Sequence, residues 1–481
     1  MVRVNLLNSA AGPVERSVRV RCTYPLAVAA LSAAVLLVGL VLLILTLYHN
    51  RHRYNAMAMA EFYDWSRELH AGGNPWLPAS DPAYQAIAGV PHRGQCNYPP
   101  AFLFAFAPLT FLPPPAAFWL WQAILVGSLF AALVMLVHEG WPRAGIAAYA
   151  AVLGAALLFP EVYGSLYESE PTLLLLALVV GAFVLDRRER PASAGFLLAL
   201  AALLKLFPAL LGGYFLARLR WRTVVWAIAF GLAGLLLASP LELHDFLRFG
   251  VMHSHWMAND QWLRNDRSVA VYANLRAFLD ALNGGELRSA QLTAWLALTA
   301  VSDLLIVAIT AVVTYRTRST AALELLSMGL WLCAMILASP IAWGHYFPFI
   351  FPAIVGLVAG LQRGYRLPMA SGILIGTGLL GIYIAYFSGA LRERHLFFIA
   401  AIAIFAGHAL TLWRWRERSD TEAECARRAD ELTASLLSRQ SPLDYLLAPP
   451  TRLLVRLSAA APRLGRRMAL TLPLLPPPQK N

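Results

Sequence analysis

The chain has 481 residues, of which 59% are hydrophobic and 14% charged, with a formal net charge of +12 and a mean hydropathy of +0.58. A soluble protein of this length carries nearer a quarter of its residues as charges, so the soluble class is excluded and the lipid bilayer is the first expected partner. The positive excess reads as the positive-inside bias summed over many short loops; nucleic acid is not expected as a partner.

The head before the first apolar run carries Arg3, Arg16, Arg19 and Arg21, which places residues 1–24 in the cytoplasm. The run "PLAVAALSAAVLLVGLVLLILTLY" (25–48) exceeds the roughly 20 apolar residues that cross a bilayer. It is too long for a removed signal peptide, and no small-residue cleavage site precedes the next segment. Further spans are expected near 115–138, 144–160, 170–186, 222–239, 290–314, 320–338, 345–361, 367–388 and 395–413. Between 192 and 217, a "KLFP" break predicts two short helices meeting at an outward tip. Basic clusters at Arg187/Arg188/Arg190, Arg218/Arg220/Arg222, Arg316/Arg318, Arg363/Arg366 and Arg414/Arg416/Arg418 all fall inside on this reading. The fold class is an all-α polytopic membrane protein with about 11–13 crossings. Its membrane domain covers 25–413, with outer loops 49–114 and 239–289 forming a small cap. The tail 414–481 alternates apolar residues with arginines, which suits a helix on an anionic leaflet or a disordered basic segment. Cys22, Cys96, Cys333 and Cys425 lack metal spacing and imply no disulfide framework.

Polar residues gather in the outer segments. In "MAEFYDWSRELHAGGNPW" (58–76), Glu61 and Asp64 follow the first membrane exit closely, where a carboxylate suits a general base; solvated loop acids are the plain alternative. "NYPPAFLFAFAPLTFLPPP" (97–115), which contributes Tyr98 as a substrate-binding candidate, is too short between its prolines to span and fits a re-entrant or juxtamembrane helix. In "FPEVYGSLYESEP", Glu161, Glu168 and Glu170 precede a span; one of them, with Glu168 taken as the candidate, can accept hydrogen bonds from sugar hydroxyls, and simple exclusion of positive charge from an outer loop is the plain alternative. Lys205 lies in an apolar stretch, where an ammonium points at a partner such as a phosphate or snorkels to the interface. "HSHWMANDQWLRNDRS" (253–268) combines aromatics with Arg264 and Asn265, a mixture suited to sugar and phosphate. Its His253-x-His255 pair is too small for a metal site. In "ASPIAWGHYFPFIFPAI" (338–354), Pro340 stops a helix, leaving Trp343 and His345 in a hinge on the outer face.

Three stretches, "NYPPAFLFAFAPLTFLPPPAAFWLW", "RRERPASAGFLLALAALLKLFPALLGGYFLARLRWR" and "SPIAWGHYFPFIFPAI", occur in that order, and together they resemble glycosyltransferase family 87. The resemblance covers roughly residues 60 to 365. It implies a GT-C fold and an inverting transfer from a polyprenyl-phosphate sugar, of the mannosyltransferase kind, on the extracytoplasmic face of the plasma membrane. The acceptor would be a glycan or glycolipid. The family's base would be Asp64 or Glu61, and its hinge histidine His345. The chain departs from the family pattern at "YESEP", where Gly-Gln is usual, and at Gly344, where a polar residue is usual; both bear on sugar or acceptor preference.

The residues fit that chemistry. Asp64 or Glu61 would take the acceptor proton, and Lys205, Arg264 and His345 would stabilise the leaving lipid phosphate. No nucleotide-sugar metal motif is required and no cofactor is expected. The alternative, a transporter or flippase of lipid-linked sugars, predicts internal repeats and polar residues at mid-membrane; a scaffold would tolerate loss of Asp64 and His345.

Overall fold

The computed structural model describes residues 24–51, 58–92, 95–142, 144–236, 238–252, 268–283, 289–317, 320–340, 342–388 and 395–415. The N-terminal head with Cys22, the loop residues His253, His255, Arg264 and Asn265, and the tail after Trp415 with Cys425 lie outside the described residues. No β-strand occurs among the described residues, only an isolated antiparallel bridge between Ser268 and Trp343. Long apolar runs must satisfy their backbone groups internally when they leave water, and the helix does so within one segment.

Among the described residues, seventeen α-helices follow in order. They are α1 (Tyr24–Asn50), α2 (Ala58–His70), α3 (Pro100–Phe106), α4 (Pro114–Gly140), α5 (Ile146–Leu158) and α6 (Pro160–Glu168). Next come α7 (Thr172–Arg187), α8 (Pro191–Leu204), α9 (Gly212–Ala217), α10 (Trp221–Leu235), α11 (Pro240–Asp245) and α12 (Val271–Asn283). The last five are α13 (Ser289–Arg316), α14 (Ala321–Ala338), α15 (Phe351–Gln362), α16 (Met369–Phe387) and α17 (Leu396–Trp415). Several begin with proline at the first helical position, where its missing N–H is no loss.

Seven of the described helical runs are long and apolar enough to cross a membrane, α15 counting with the 3₁₀ turn that leads into it. The count reaches nine if each of two bent pairs, α5 with α6 and α10 with α11, is one span. The sequence reading counts more crossings because it includes α7 and the pair around "KLFP". In the structure α7 has 16 residues and α8 has 14, which leaves both outside that count by length, although α7 still runs most of the way between the two ends of the bundle. The bend of 63° between α5 and α6 has a local cause. Pro160 has no N–H to continue the ladder, and the hydroxyls of Tyr163 and Tyr383 donate to the carbonyls of Leu157 and Leu158 at the break.

Helix α14 is the centre: every residue from Ala322 to Leu337 is buried. It packs against α15, α13, α17 and α4. Close approach to α15 needs glycine at the crossing. A Cβ on Gly329 would stand 2.3 Å from the backbone nitrogen of Ala353, and one on Gly356 2.5 Å from that of Leu326. Small residues let membrane helices approach in this way. Helices α7, α8 and α10 pack side by side next to this core, while α1 with α5 and α16 with α17 form further pairs. Much of α1 and α13 turns exposed Leu, Val and Ile side chains outward, as a lipid-facing surface does.

The helices separate two polar ends. Glu170 precedes α7 and Arg187 closes it, 16 residues or about 24 Å apart along the axis. Glu324 sits in the first turn of α14, and the Ser339-Pro340 break follows its end after about 27 Å. Both lengths approach the hydrocarbon thickness of about 30 Å.

At one end, Glu324 receives Arg187 at 2.6 Å, Arg218 at 3.0 Å and Arg220 at 2.6 Å. Asp186 receives Arg220 and the Thr223 hydroxyl, and Glu139 receives Arg187 at 3.2 Å. The arginine clusters read from the sequence thus tie α4, α7, α10 and α14 together at one end of the bundle. The other end holds the candidate site.

Candidate active site

Helix α2 carries Glu61, Asp64 and Glu68 at i, i+3 and i+7, which a helical repeat puts on one face. The helix is fixed by aromatic packing onto the short segment after it. Phe62 meets the rings of Tyr98 and Phe102, both at 4.8 Å between centroids, and the Tyr63 hydroxyl donates to Leu112 O at 2.9 Å. Phe106, the last residue of α3, stacks edge-on with Trp121 of α4 at 5.2 Å. The segment 97–115 is therefore α3 and a 3₁₀ turn, short as its prolines require and packed against protein. Asp64 is buried and Glu61 half-buried.

The "GGNPW" turn and its neighbours join the loop 49–114 to the segment that begins with α11. Asn74 donates to Asp245 at 2.5 Å, Gln95 to Phe249 O at 2.8 Å, and Trp76 Nε1 to Tyr98 O at 3.0 Å. Through the last of these bonds the turn also fixes the backbone at Tyr98.

Tyr98, Glu170 and Lys205 form a closed triangle. The Tyr98 hydroxyl donates to Glu170 Oε2 at 2.6 Å; Lys205 Nζ donates to the same oxygen at 2.9 Å and to the Tyr98 hydroxyl at 2.8 Å. The ammonium also lies 4.7 Å from the Tyr98 ring centroid and 4.9 Å from that of Tyr346, within cation–π range. Burial works against ionisation of Glu170, but Lys205, His345 and the Tyr98 hydroxyl outweigh it and hold the carboxyl below its ordinary range. Burial, then Glu170, Tyr346 and Glu61, push the Tyr98 hydroxyl well above its own, so it stays a donor.

Local structure explains how each corner arrives. Helix α6 ends at Glu168, and Ser169 adopts the left-handed region at φ 57°. That conformation is unfavourable for a residue with a Cβ and is held by Trp121 Nε1 to Ser169 O (2.8 Å) and Gln122 to the Ser169 hydroxyl (2.9 Å). The turn delivers Glu170, two residues beyond Glu168, to Lys205. Lys205 follows the end of α8 in extended conformation, and Pro208 opens the tight turn beyond it. Phe207 then packs on Tyr346 at 5.0 Å, which brings the "KLFP" tip onto the hinge.

The hinge residue His345 is buried, with its ring edge-on to Tyr346 at 4.6 Å and 5.8 Å from Trp343. Its carbonyl accepts from Ser165 of α6 at 2.7 Å. The Glu161 carboxylate lies against the same corner: a Cβ on Gly344 would meet one of its oxygens at 3.1 Å, and one on Gly164 the other at 2.6 Å. Glycine at 344, where a larger residue would crowd this acid, is thus matched to Glu161. On the other side Val269 N donates to Ala342 O at 2.8 Å, so the chain just after Arg264 and Asn265 is clamped to the hinge.

The structure therefore brings Tyr98, Lys205, Trp343 and His345 into one region, with Glu61 close enough to act on Tyr98. Asp64 lies one turn along α2, where its charge acts on Glu68. Sequence reasoning names Glu170 only as one of three acids and overlooks Tyr346 entirely. A usable signal for Glu170 exists in that a lysine between apolar helices requires a partner, and the acids of "YESEP" lie at the matching end of the adjacent helix. Glu68 is a further addition. It is 2% exposed and faces His92 Nδ1 at 3.3 Å.

Residues 97–340 match the model of glycosyltransferase family 87, which is half of the chain. The chain belongs to glycosyltransferase family 87. It is thus a membrane glycosyltransferase, with a sugar donor and an acceptor as its substrates. No curated protein matches the chain. Within the matched span lie Tyr98, Glu168, Glu170, Lys205, Arg264 and Asn265; Glu61, Asp64, Trp343 and His345 flank it. In this glycosyltransferase the flanking residues contribute α2 and the hinge, the two elements that pack on Tyr98 and Lys205 from either side.

Proposed function

We propose that this glycosyltransferase moves a hexose, mannose in our reading, from a polyprenyl-phosphate donor to a glycan or glycolipid acceptor with inversion, at the extracytoplasmic face of the plasma membrane. The observation that carries this reading is the convergence of α2, Tyr98, the α6–α7 link, the "KLFP" tip and the hinge at one membrane boundary, opposite the arginine-rich end. The positive-inside bias puts that arginine-rich end in the cytoplasm.

In this mechanism Asp64 or Glu61 removes the acceptor hydroxyl proton as its oxygen attacks the anomeric carbon. The bond from that carbon to the phosphate oxygen breaks, and polyprenyl phosphate leaves with the electron pair. His345 and Arg264 stabilise the negative charge that develops there. A lipid donor suits the site's depth, because the tail can remain in the bilayer while the head group reaches the aromatic corner.

Purified protein in nanodiscs, given polyprenyl-phosphate mannose and a panel of glycan and glycolipid acceptors, should form a glycoside whose anomeric configuration is opposite to the donor's, read by NMR. Retention of configuration, or no transfer to any acceptor, contradicts the reading. Sidedness has its own test: a Ser80→Cys protein should label with an impermeant thiol reagent in intact cells, and an Arg188→Cys protein should not. The reverse pattern overturns the topology.

A further inference from the structure

The Tyr98–Glu170–Lys205 triangle leaves two groups unused. Both hydrogen bonds that the Glu170 carboxylate accepts fall on Oε2, so Oε1 accepts none among the described residues. Lys205 uses two of its three N–H donors, and its remaining one likewise has none among them. The two side chains are 15% and 18% exposed, enough to be reached and too little to be solvated fully. A free acceptor and a free donor therefore belong to two side chains already paired at 2.9 Å through Oε2, with the rings of Tyr98 and Tyr346 beside the ammonium.

This arrangement selects its ligand by charge. An anion approaching the free N–H of Lys205 comes nearly as close to the Glu170 carboxylate, which lies 2.9 Å from the ammonium. At those separations attraction and repulsion largely cancel, so a phosphate gains little. A neutral ligand with neighbouring hydroxyls gains twice, because one hydroxyl donates to Oε1 and the next accepts from Nζ. The aromatic rings cover the apolar C–H faces of such a ligand.

We infer that Glu170 and Lys205 together bind two neighbouring ring hydroxyls of the transferred hexose, and that Lys205 does not bind the donor phosphate. The inference rests on the donor proposed above, and it makes Glu170 a residue that determines sugar specificity.

The test is calorimetric binding, without acceptor, of polyprenyl phosphate and of its mannosyl, glucosyl and galactosyl derivatives to the full-length protein in nanodiscs. For wild type, at least one hexosyl derivative should bind on the order of tenfold or more tighter than bare polyprenyl phosphate, as expected for hydrogen bonds to charged groups. Lys205→Met should remove that increment and leave the affinity for bare polyprenyl phosphate within about twofold. Glu170→Gln should reduce the increment and strengthen bare polyprenyl phosphate binding, because the ammonium loses its counter-anion. The double variant Glu170→Gln/Lys205→Met, which contains no unpaired charge and so is the one most able to fold, should show no increment. Loss of bare polyprenyl phosphate binding in Lys205→Met with the hexose increment intact overturns the inference, as does a wild type with no increment for any sugar or a double variant that keeps it. Failure of the transfer reaction in the face of an intact wild-type increment would count against the proposed function and leave this subsite standing.

Discussion

The two polar ends of the bundle contain similar residues used in different ways. At the arginine-rich end both Glu324 oxygens and both Asp186 oxygens are engaged, by three arginines and a threonine. At the other end the Glu170–Lys205 pair is closed on one oxygen only and is surrounded by aromatic rings. A saturated network holds helices together and has nothing left for a ligand. A pair with a free acceptor and a free donor is less useful as a brace and more useful as a site.

Stability measurements distinguish the two ends. Glu324→Gln leaves Arg187, Arg218 and Arg220 around an uncharged amide, and removing one partner of a buried ion pair costs about 3–5 kcal/mol. A detergent melting curve should fall by the corresponding amount, while transfer per folded molecule stays near wild type. Lys205→Met should cost less, about 1–3 kcal/mol, because its pair is partly exposed; adding Glu170→Gln should recover part of that loss. Equal losses at the two ends would contradict the distinction between brace and site.

The smallest expected effect lies at Glu68. Burial, with Asp64 nearby, raises its carboxyl above the ordinary 4.5 despite the opposing bond from His92. The folded protein then binds this proton more tightly than the unfolded chain does. Stability is therefore highest below pH 4.5 as far as this group is concerned, and falls as pH rises from 4.5 through the folded value. Glu68→Gln should flatten that fall in a pH series of melting temperatures and leave the other groups' contributions unchanged.

Much of the fold was legible in the sequence, because apolar runs bounded by prolines and arginines leave few choices. The expected span 115–138 became α4 at Pro114–Gly140, and 395–413 became α17 at Leu396–Trp415. The expected span 170–186 likewise became α7 at Thr172–Arg187, and the short helix expected before the "KLFP" break became α8 at Pro191–Leu204. Lys205 stood out as a cation in apolar chain, but its partner could not be read from local sequence. Glu170 is 35 positions away and reaches it only because Ser169 turns the chain. The matching of Glu161 to Gly344 was hidden for the same reason, being a contact between α6 and a hinge nearly two hundred residues later.

Transfer at the end holding α2, Lys205 and the hinge is the proposal on which the other roles depend. Its most direct test is the rate of mannose transfer, per folded molecule, by Asp64→Asn and Glu61→Gln proteins that bind polyprenyl-phosphate mannose as wild type does. One of the two should be slower by about 10²–10⁴-fold, the range expected for loss of a general base, with Glu324→Gln near wild type in the same assay. Normal turnover by both carboxylate variants would contradict the account.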